Sequence, residues 1–392
     1  MSAPVLVALF TFIDGLTQGI YGTIFNLMLR TGGLPTSAVG NITSSNLWGA
    51  AFIGLFFGLV AEKYEKKTLL IMTQLLSIFF GTYRIFATSS TILGITSFFH
   101  GGFSAATATI MSTILVMKTS SENRARFLGL NLSAGMFTGV IANVVGGLLG
   151  DAFGFRSVLL FSSLSRILAL YPILKLDATS SSANEESDEA PSIASFSKIF
   201  KIRDSKEVKT ILYYFLSNVN VGLGAGLFVV FGNVIFYDLF HMSATVIGLI
   251  LAFAQLATSL GAMFSYKIGR KFGDMNVLIF SYVFVPILIV LLSFTREPIT
   301  FTSVYILRFA VMNMVGPLLS SVVFSHIPMN IVSSINGVNN FLNNVSRALS
   351  AVLFSVLTKF NNGYTLIFII SSIFYFLNAY VMIRLRKHLS EY

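Results

Sequence analysis

The stretch Gly58-Leu59-Val60-Ala61-Glu62-Lys63-Tyr64-Glu65-Lys66-Lys67 separates two long apolar runs of the sequence. Five of its ten residues are charged, and three of those five are lysines. An apolar run of about 20 residues is long enough to cross the hydrocarbon core of a bilayer as a helix. A short charged loop between two such runs must therefore lie at the membrane surface. Its lysines predict the cytoplasmic surface, because Lys and Arg are enriched in cytoplasmic loops.

The composition of the whole chain indicates a membrane protein. Of its 392 residues, 55% are hydrophobic and 11% are charged, and the mean hydropathy is +0.80. Soluble domains carry roughly 25% charged residues, so a soluble protein is excluded. The sequence contains no cysteine, which excludes disulfides, thiol catalysis and thiolate metal sites. The four histidines show no metal-ligand spacing.

Twelve apolar runs are predicted to be membrane-spanning helices, which we number span 1 to span 12. They cover residues 4–29, 38–61, 68–88, 91–117, 126–149, 157–175, 209–237, 243–266, 275–295, 299–322, 333–358 and 364–384. The polar segment 177–197 predicts a disordered linker, and the basic segment 198–209 favours either an amphipathic surface helix or a solvated tether. The predicted domains are an N-terminal six-helix bundle (1–176), a cytoplasmic linker (177–208) and a C-terminal six-helix bundle (209–392).

The positive charges are distributed unequally between the two sides of the predicted membrane. Eighteen of the 26 Lys and Arg residues lie in the C-terminal tail or in loops on the side of the N-terminus, four lie in the opposite loops, and four lie inside spans. This bias predicts that both termini are cytoplasmic, in a protein that we expect in the plasma membrane. The net charge of +10 therefore belongs mainly to the loops, which argues against nucleic acid as a partner.

The two halves of the sequence repeat. Gly40 matches Gly248 and His100 matches Arg308, an offset of 208 residues in both cases. A constant offset predicts two six-helix bundles that are related by an axis along the membrane normal.

The opening stretch resembles a signature of the major facilitator superfamily of secondary transporters. In that family the end of the second helix reads Gly, any residue, Leu, Ala or Gly, Asp, Arg, any residue, Gly, Arg, and Arg or Lys. Here Gly58, Ala61, Lys66 and Lys67 match, Glu62 and Lys63 keep the charges of the Asp and Arg, and Val60 and Glu65 depart from the pattern. The resemblance implies that this loop helps to close the cytoplasmic side, together with the basic loop around Arg270 and Lys271.

Span 5 extends the resemblance. Its glycines are followed by Gly154-Phe155-Arg156, which is similar to the Gly-Trp-Arg that leaves the fifth helix in the family. The antiporter subset has a Gly-Pro pair where this chain has Asn143-Val144, which argues against a drug antiporter. The resemblance covers essentially the whole chain. It implies an all-α membrane protein with twelve transmembrane helices in two pseudo-symmetric six-helix bundles.

Ionisable groups inside spans are candidates for the transport site, because they are unfavourable in lipid. Asp14 lies roughly 15 Å into span 1 at 1.5 Å per residue, and Gln18 and Tyr21 share its face. Burial of a lone carboxylate raises its pKa, which would suit a proton carrier. The alternative is a structural ion pair between Asp14 and one of the buried arginines.

His100 in span 4 and Arg308 in span 10 are the next candidates. The family resemblance implies that spans 1, 4, 7 and 10 line a central cavity, where Asp14, His100 and Arg308 would face one another. Ser97, His100, Ser104 and Thr107 form a polar stripe at helical spacing. A hydrogen-bonded packing role for His100 stays open.

Span 11 is the most polar span. Its asparagines and one arginine form a continuous helical face that cannot contact lipid: Asn336, Asn339, Asn340, Asn343, Asn344 and Arg347. We select Asn340, Asn344 and Arg347 as candidate site residues, with helix packing as the alternative for the asparagines. Asn218, Asn220 and the glycines at 222, 224 and 226 in span 7 could supply a bend with polar contacts or a packing seam. Span 6 is peripheral in the family that the chain resembles, and an arginine there, Arg166, is expected to pair or to stabilise packing. Arg84 lies near the outer end of span 3, from which it can snorkel to the surface.

These residues favour a secondary transporter that moves a small solute by alternating access. The excess of Arg over Asp inside spans favours an anionic substrate, and Asp14 suggests coupling to protons. The alternatives are a proton-driven efflux antiporter for lipophilic cations and a membrane receptor or assembly partner without flux. No arrangement typical of an enzyme or an ATP-driven pump is found, so we expect no catalytic residue, cofactor or metal ion. We expect a monomer in the bilayer.

Overall fold

A computed structural model describes residues 3–61, 64–119, 121–176 and 204–390. The apolar runs of the first half are helices: Ala3–Thr31 (span 1), Thr36–Val60 (span 2), Lys66–Phe86 (span 3), Ser90–Met117 (span 4) and Ser121–Phe153 (span 5). Span 6 combines the helix Phe155–Ser165, the 3-10 turn Arg166–Ala169 and the helix Leu170–Lys175. The predicted linker at 177–197 lies outside the described residues.

The second half has the same organisation. Span 7 contains the helix Ser205–Gly226, the 3-10 turn Val229–Phe231 and the helix Gly232–Phe240. The remaining spans are the helices Ala244–Phe272 (span 8), Asp274–Phe294 (span 9), Pro298–Phe324 (span 10), Met329–Leu357 (span 11) and Gly363–Ser390 (span 12). Spans 1 to 10 and span 12 are long and apolar enough to cross a membrane. Span 11 is a helix of 29 residues whose asparagines and serines lower its hydropathy.

The described residues form two compact units. The first unit holds spans 1 to 6 together with Met242–Ala252, which is the beginning of span 8. The second unit holds span 7, the remainder of span 8 and spans 9 to 12.

Small residues allow the helices of the first unit to pack closely. A Cβ atom added to Gly49 of span 2 would overlap the backbone of Phe98 in span 4, and one added to Gly101 of span 4 would overlap Asn46. Between spans 1 and 5, a Cβ at Gly19 would overlap the side chain of Ala142. Such contacts supply packing where lipid offers no hydrophobic drive between helices.

Several helices run farther than their apolar segments. Span 8 was expected to end near residue 266, but it continues to Phe272 and carries Arg270 and Lys271 in its last turn. Basic side chains are favourable there, because the carboxyl end of a helix is partly negative. Gly273 follows with φ of 85°, a conformation that glycine adopts without steric strain and that commonly ends helices.

The beginning of span 8 is held within the first unit by Asp151, near the end of span 5. One Asp151 oxygen accepts a hydrogen bond from the Ala244 amide at 3.2 Å, and the other accepts from the amide and hydroxyl of Thr245, both at 2.7 Å. Gly147 allows this approach, because an added Cβ would overlap the carbonyl group of Ala244. Asp151 thereby caps a helix of 29 residues.

Candidate functional site

The carboxylate of Asp14 is paired with Arg166. Arg166 Nε and Nη2 lie 2.9 Å and 2.8 Å from Asp14 Oδ1. The Gln74 amide donates to the same oxygen at 3.0 Å. The Asp14 side chain is 17% exposed and that of Arg166 is 2% exposed. Of the two roles expected for Asp14, the structural ion pair is the arrangement observed.

Arg166 reaches Asp14 from the point where the first helix of span 6 gives way to a 3-10 turn. Its Nη1 donates to the Ser77 hydroxyl at 2.8 Å. In the amide orientation that satisfies its donors and acceptors, Gln18 accepts from Arg166 Nη2 at 2.9 Å and from the Ser104 hydroxyl at 2.8 Å. The guanidinium is therefore bonded to spans 1 and 3 at once, and this polar cluster has no net charge.

His100 lies beside this cluster but binds other partners. Its Nδ1 is 3.0 Å from the Ser77 carbonyl oxygen, and its ring stacks on Tyr21 with centroids 5.5 Å apart. The ring also fills the space above Gly81, since a Cβ added there would lie 2.9 Å from His100 Nδ1. His100 is 4% exposed, and these contacts match the hydrogen-bonded packing role.

Arg84 does not snorkel to the surface as expected, because it has partners inside the protein. It is 4% exposed, and its Nε donates to the Tyr21 hydroxyl at 2.9 Å. Its guanidinium carbon lies 4.2 Å from the ring centroid of Tyr21 and 4.1 Å from that of Phe25. The aromatic faces stabilise the charge by cation–π attraction, so this prediction was wrong.

Arg308 occupies a different kind of environment in the second unit. It is 2% exposed and donates through Nη2 to the Tyr375 hydroxyl. Its guanidinium carbon lies 4.9 Å from the ring centroid of Phe228 and 5.0 Å from that of Phe309. Its Nε has no hydrogen-bond partner among the described residues. Arg308 is thus held by aromatic rings and one phenol.

Arg347 of span 11 is the second arginine of this region. It is half-buried, and its Nε also lacks a partner within the described part of the chain. Its backbone packs against Gly226 of span 7, where an added Cβ would lie 2.8 Å from the Arg347 Cα.

The asparagines of span 11 have unequal surroundings. Asn340 is exposed and Asn344 is half-buried. The Asn339 side-chain oxygen is buried without a partner among the described residues. Asn343 packs against Gly222 of span 7, where an added Cβ would lie 3.3 Å from the Asn343 carbonyl oxygen. The span 7 glycines therefore form a packing seam, and the first helix of the span also ends at Gly226.

The residues predicted to close the cytoplasmic side lie at helix ends. Gly58 is in the last turns of span 2, and Lys66 and Lys67 open span 3. Lys67 Nζ donates to the Leu174 carbonyl oxygen at 2.7 Å, which ties span 3 to the end of span 6. Arg270 and Lys271 are exposed. Glu62 and Lys63 lie outside the described residues.

The sequence pattern missed several residues of both regions. Gln74 is an amide in the middle of an apolar span, which was an available signal. Tyr305 and Tyr375 gave no signal, because tyrosine is common in spans. No cluster of three His, Asp or Glu side chains that could hold a metal ion was found in the part of the chain that the structure describes.

The helical spans, the repeat and the buried charges define a multi-pass membrane protein of the transporter class. A family model of the Major Facilitator Superfamily matches residues 7–351, and the chain belongs to this family. The predicted family and fold class are confirmed.

Solved transporters share the fold. The crystal structure of the nucleoside transporter NupG is similar with a TM-score of 0.78 and 16% identity, covering 99% of this chain and 100% of that chain. A bacterial homolog of the human lysosomal transporter Spinster, in an inward-facing and occupied conformation, has a TM-score of 0.73 and 12% identity, covering 98% of this chain and 96% of that chain. At these identities the likeness concerns the fold.

Proposed function

We propose that this secondary transporter moves a small organic anion by alternating access, and that Arg308 binds the negative charge of the substrate. The observation that carries the proposal is a guanidinium 2% exposed whose Nε has no partner among the described residues. A buried charge without a counter-charge is unfavourable. A substrate carboxylate or phosphate would supply the counter-charge, and it suits the planar donors of arginine.

Asp14 has a structural role in this proposal, because its carboxylate pairs with Arg166. Its carboxylate is occupied by the Arg166 guanidinium at 2.8 Å, so a proton carrier at this position would first have to separate from Arg166. If Asp14 is structural, Asp14→Asn lowers stability but leaves any proton dependence of uptake in place. If Asp14 carries the proton, the same variant abolishes gradient-driven accumulation while exchange of bound substrate continues.

We also propose that the protein works in the plasma membrane with both termini in the cytoplasm. The unequal distribution of Lys and Arg between the two sides supports this orientation. The charged helix ends at Lys66, Lys67, Arg270 and Lys271 would then lie on the cytoplasmic side, as the family resemblance implies.

The substrate class can be tested by thermal unfolding of the purified full-length chain in detergent. The probes are succinate as an anion, uridine as a neutral nucleoside and tetraphenylphosphonium as a lipophilic cation. A ligand present at 100 times its Kd stabilises the folded state by about 2.7 kcal/mol. We expect succinate to raise the unfolding temperature of the wild type and to lose this effect in Arg308→Gln.

Arg384→Gln provides the matched control. Arg384 also donates to a tyrosine hydroxyl, that of Tyr380 at 2.7 Å, but the pair is exposed. In Arg384→Gln, succinate should therefore raise the unfolding temperature as much as it does in the wild type. Stabilisation by uridine alone would instead favour a nucleoside, the substrate class named for NupG. Stabilisation by the cation alone would favour the efflux antiporter. Ligand binding without flux in liposomes would favour the receptor.

A further inference from the structure

The two ends of the second unit differ in charge. At the end where spans 7, 9 and 11 begin and spans 8, 10 and 12 end, which we call the basic end, the described residues include three acidic side chains, Asp204, Glu207 and Asp274. Its basic side chains number eight: Lys206, Lys209, Lys267, Arg270, Lys271, Arg384, Arg386 and Lys387. At the opposite end the described residues include two of each sign: Asp238, Glu297, Arg296 and Lys359. The excess of positive charge therefore lies at the basic end.

A cavity of about 540 Å³ lies at the basic end, where spans 9, 10 and 12 meet. Its polar lining comes from all three helix ends: Asp274, Asn276, Ser321, Ser325, His326 and Arg386. Arg386 is exposed, and its guanidinium forms no hydrogen bond or ion pair with any residue that the structure describes. The cavity therefore presents one cation that is not neutralised within the described part of the second unit.

Asp274 is the carboxylate among these lining residues, but it packs against span 8. A Cβ added to Gly269 of span 8 would overlap Asp274 Oδ1. Asp274 is also the first residue of span 9, where a negative charge is favourable beside the partly positive start of the helix. Arg386 thus lines the cavity together with neutral amide and hydroxyl groups, a set of donors that suits a phosphate group.

The cavity is continued by apolar surface towards the middle of the predicted membrane. Phe280 follows Asn276 by one helical turn on span 9, and Ile383 precedes Arg386 by one turn on span 12. Both side chains are exposed, by 61% and 50%. Span 9 begins at the basic end and span 12 ends there, so both residues lie on the membrane side of the cavity. A polar cavity beside an apolar surface matches a molecule with an anionic head and acyl chains.

We propose that this cavity binds the headgroup of an anionic phospholipid, with Arg386 against the phosphate and the acyl chains along Phe280 and Ile383. The other basic residues of this end attract anionic lipids to the surface, and the cavity holds one of them. Ser321 lies about 20 Å along span 10 from Arg308, at 1.5 Å per residue. The lipid site is therefore separate from the residue proposed to bind the substrate, and it does not depend on the proposed function.

The test is native mass spectrometry of the full chain in detergent with phosphatidylglycerol or phosphatidylcholine of identical acyl chains. We expect phosphatidylglycerol to bind at least about fivefold more tightly, the effect of one basic residue near an anionic lipid surface. Arg386→Gln should remove this preference. Lys387→Gln is the matched control, because it removes the same charge from the next residue, which is exposed and does not line the cavity. Its preference should stay within about twofold of the wild type, since charges in solvent are screened.

A second variant tests the cavity without a change of charge. Ser321 is exposed, so Ser321→Phe should fold and fill the cavity, and phosphatidylglycerol should again lose its preference. The response to succinate should be unchanged in Arg386→Gln and in Ser321→Phe.

Three results would overturn the proposal. Equal binding of the two lipids would show that no anionic headgroup is recognised. Equal losses in Arg386→Gln and Lys387→Gln, with no effect of Ser321→Phe, would show a diffuse attraction of lipid to the basic end. Displacement of phosphatidylglycerol by glycerol phosphate at the same concentration would show that a soluble phosphate ester, and not a lipid, occupies the cavity.

Discussion

Arg166 in the first unit and Arg308 in the second are buried to the same degree, each being 2% exposed, yet their charges are balanced differently. Arg166 makes two contacts of 2.8–2.9 Å with a carboxylate. Arg308 has a phenol and aromatic rings, and no carboxylate of the described residues pairs with it. A buried guanidinium that is already neutralised stabilises its helices. One that lacks a counter-charge is the residue that we propose binds the substrate.

The largest effect is expected for Asp14→Ala. The substitution leaves the Arg166 charge buried without its partner, which destabilises proteins by about 3–5 kcal/mol. Unfolding of the purified variant in denaturant would measure the loss. The double variant Asp14→Ala with Arg166→Met should recover much of the stability, because no charge remains unpaired. A single variant as stable as the wild type would show that the pair contributes nothing, and the comparison would fail.

A smaller loss is expected for Tyr375→Phe. The ring and its packing against Gly224 are retained, but Arg308 loses its one hydrogen-bond partner of the described structure. Hydrogen bonds to charged groups contribute about 1.5–3 kcal/mol. Tyr380→Phe removes the equivalent phenol from the exposed pair with Arg384, and it should change the free energy of unfolding by less than about 1 kcal/mol. Equal losses of unfolding free energy in Tyr375→Phe and Tyr380→Phe would show that the buried hydrogen bond to Arg308 contributes no more than the exposed one to Arg384.

Arg308→Met should change the ligand-free stability little, by less than about 1 kcal/mol, and the change can be stabilising. Replacing buried charge by an apolar side chain of similar volume removes a desolvation penalty. Arg166→Met is the matched variant in the first unit, and it should lose several times more because Asp14 is left unpaired. A loss in Arg308→Met as large as that in Arg166→Met would mean that both arginines are structural.

The smallest effect is expected for Glu297→Gln, which measures how much a helix-capping carboxylate outside the spans contributes to stability. Glu297 caps span 10, and hydrogen bonds from the side chain and amide of Thr300 and the amide of Ile299 lower its pKa. A lowered pKa means that the stabilisation is present above the ordinary value of about 4.3 and is lost as the pH falls through the lower folded-state value. The small difference in unfolding temperature between the wild type and Glu297→Gln should therefore shrink in acid. A difference that grows in acid would contradict the assignment.

The positions and number of the helices could be predicted from the sequence because apolar length and loop charge determine them. The carboxyl-terminal end of span 8 could not, since a helix with favourable terminal charges continues beyond its apolar segment until a residue such as Gly273 stops it. Buried ionisable residues could be found as candidates by their position in spans. Their partners depend on side-chain packing between spans far apart in the chain: Asp14 and Arg166 are 152 residues apart.

Arg166 illustrates the limit of that reasoning. Its span was expected to be peripheral, and on that ground the arginine was expected to pair or to stabilise packing, without a named partner. The change from α-helix to 3-10 turn at Arg166 is not visible in the sequence, and it marks the point from which the side chain reaches Asp14. In the second unit, Tyr375 could not be distinguished from the other 13 tyrosines of the chain before the structure placed it beside Arg308.

The cap formed by Asp151 has a consequence for the order of synthesis. The amides of Ala244 and Thr245 follow Asp151 by 93 and 94 residues, an interval of about 5–20 s at 5–20 residues per second. During that time the sixth and seventh spans are synthesised, and the Asp151 carboxylate cannot yet accept hydrogen bonds from Ala244 and Thr245. The first bundle thus reaches its complete contact set only after the ribosome has translated residues of the second half, up to about Ala252.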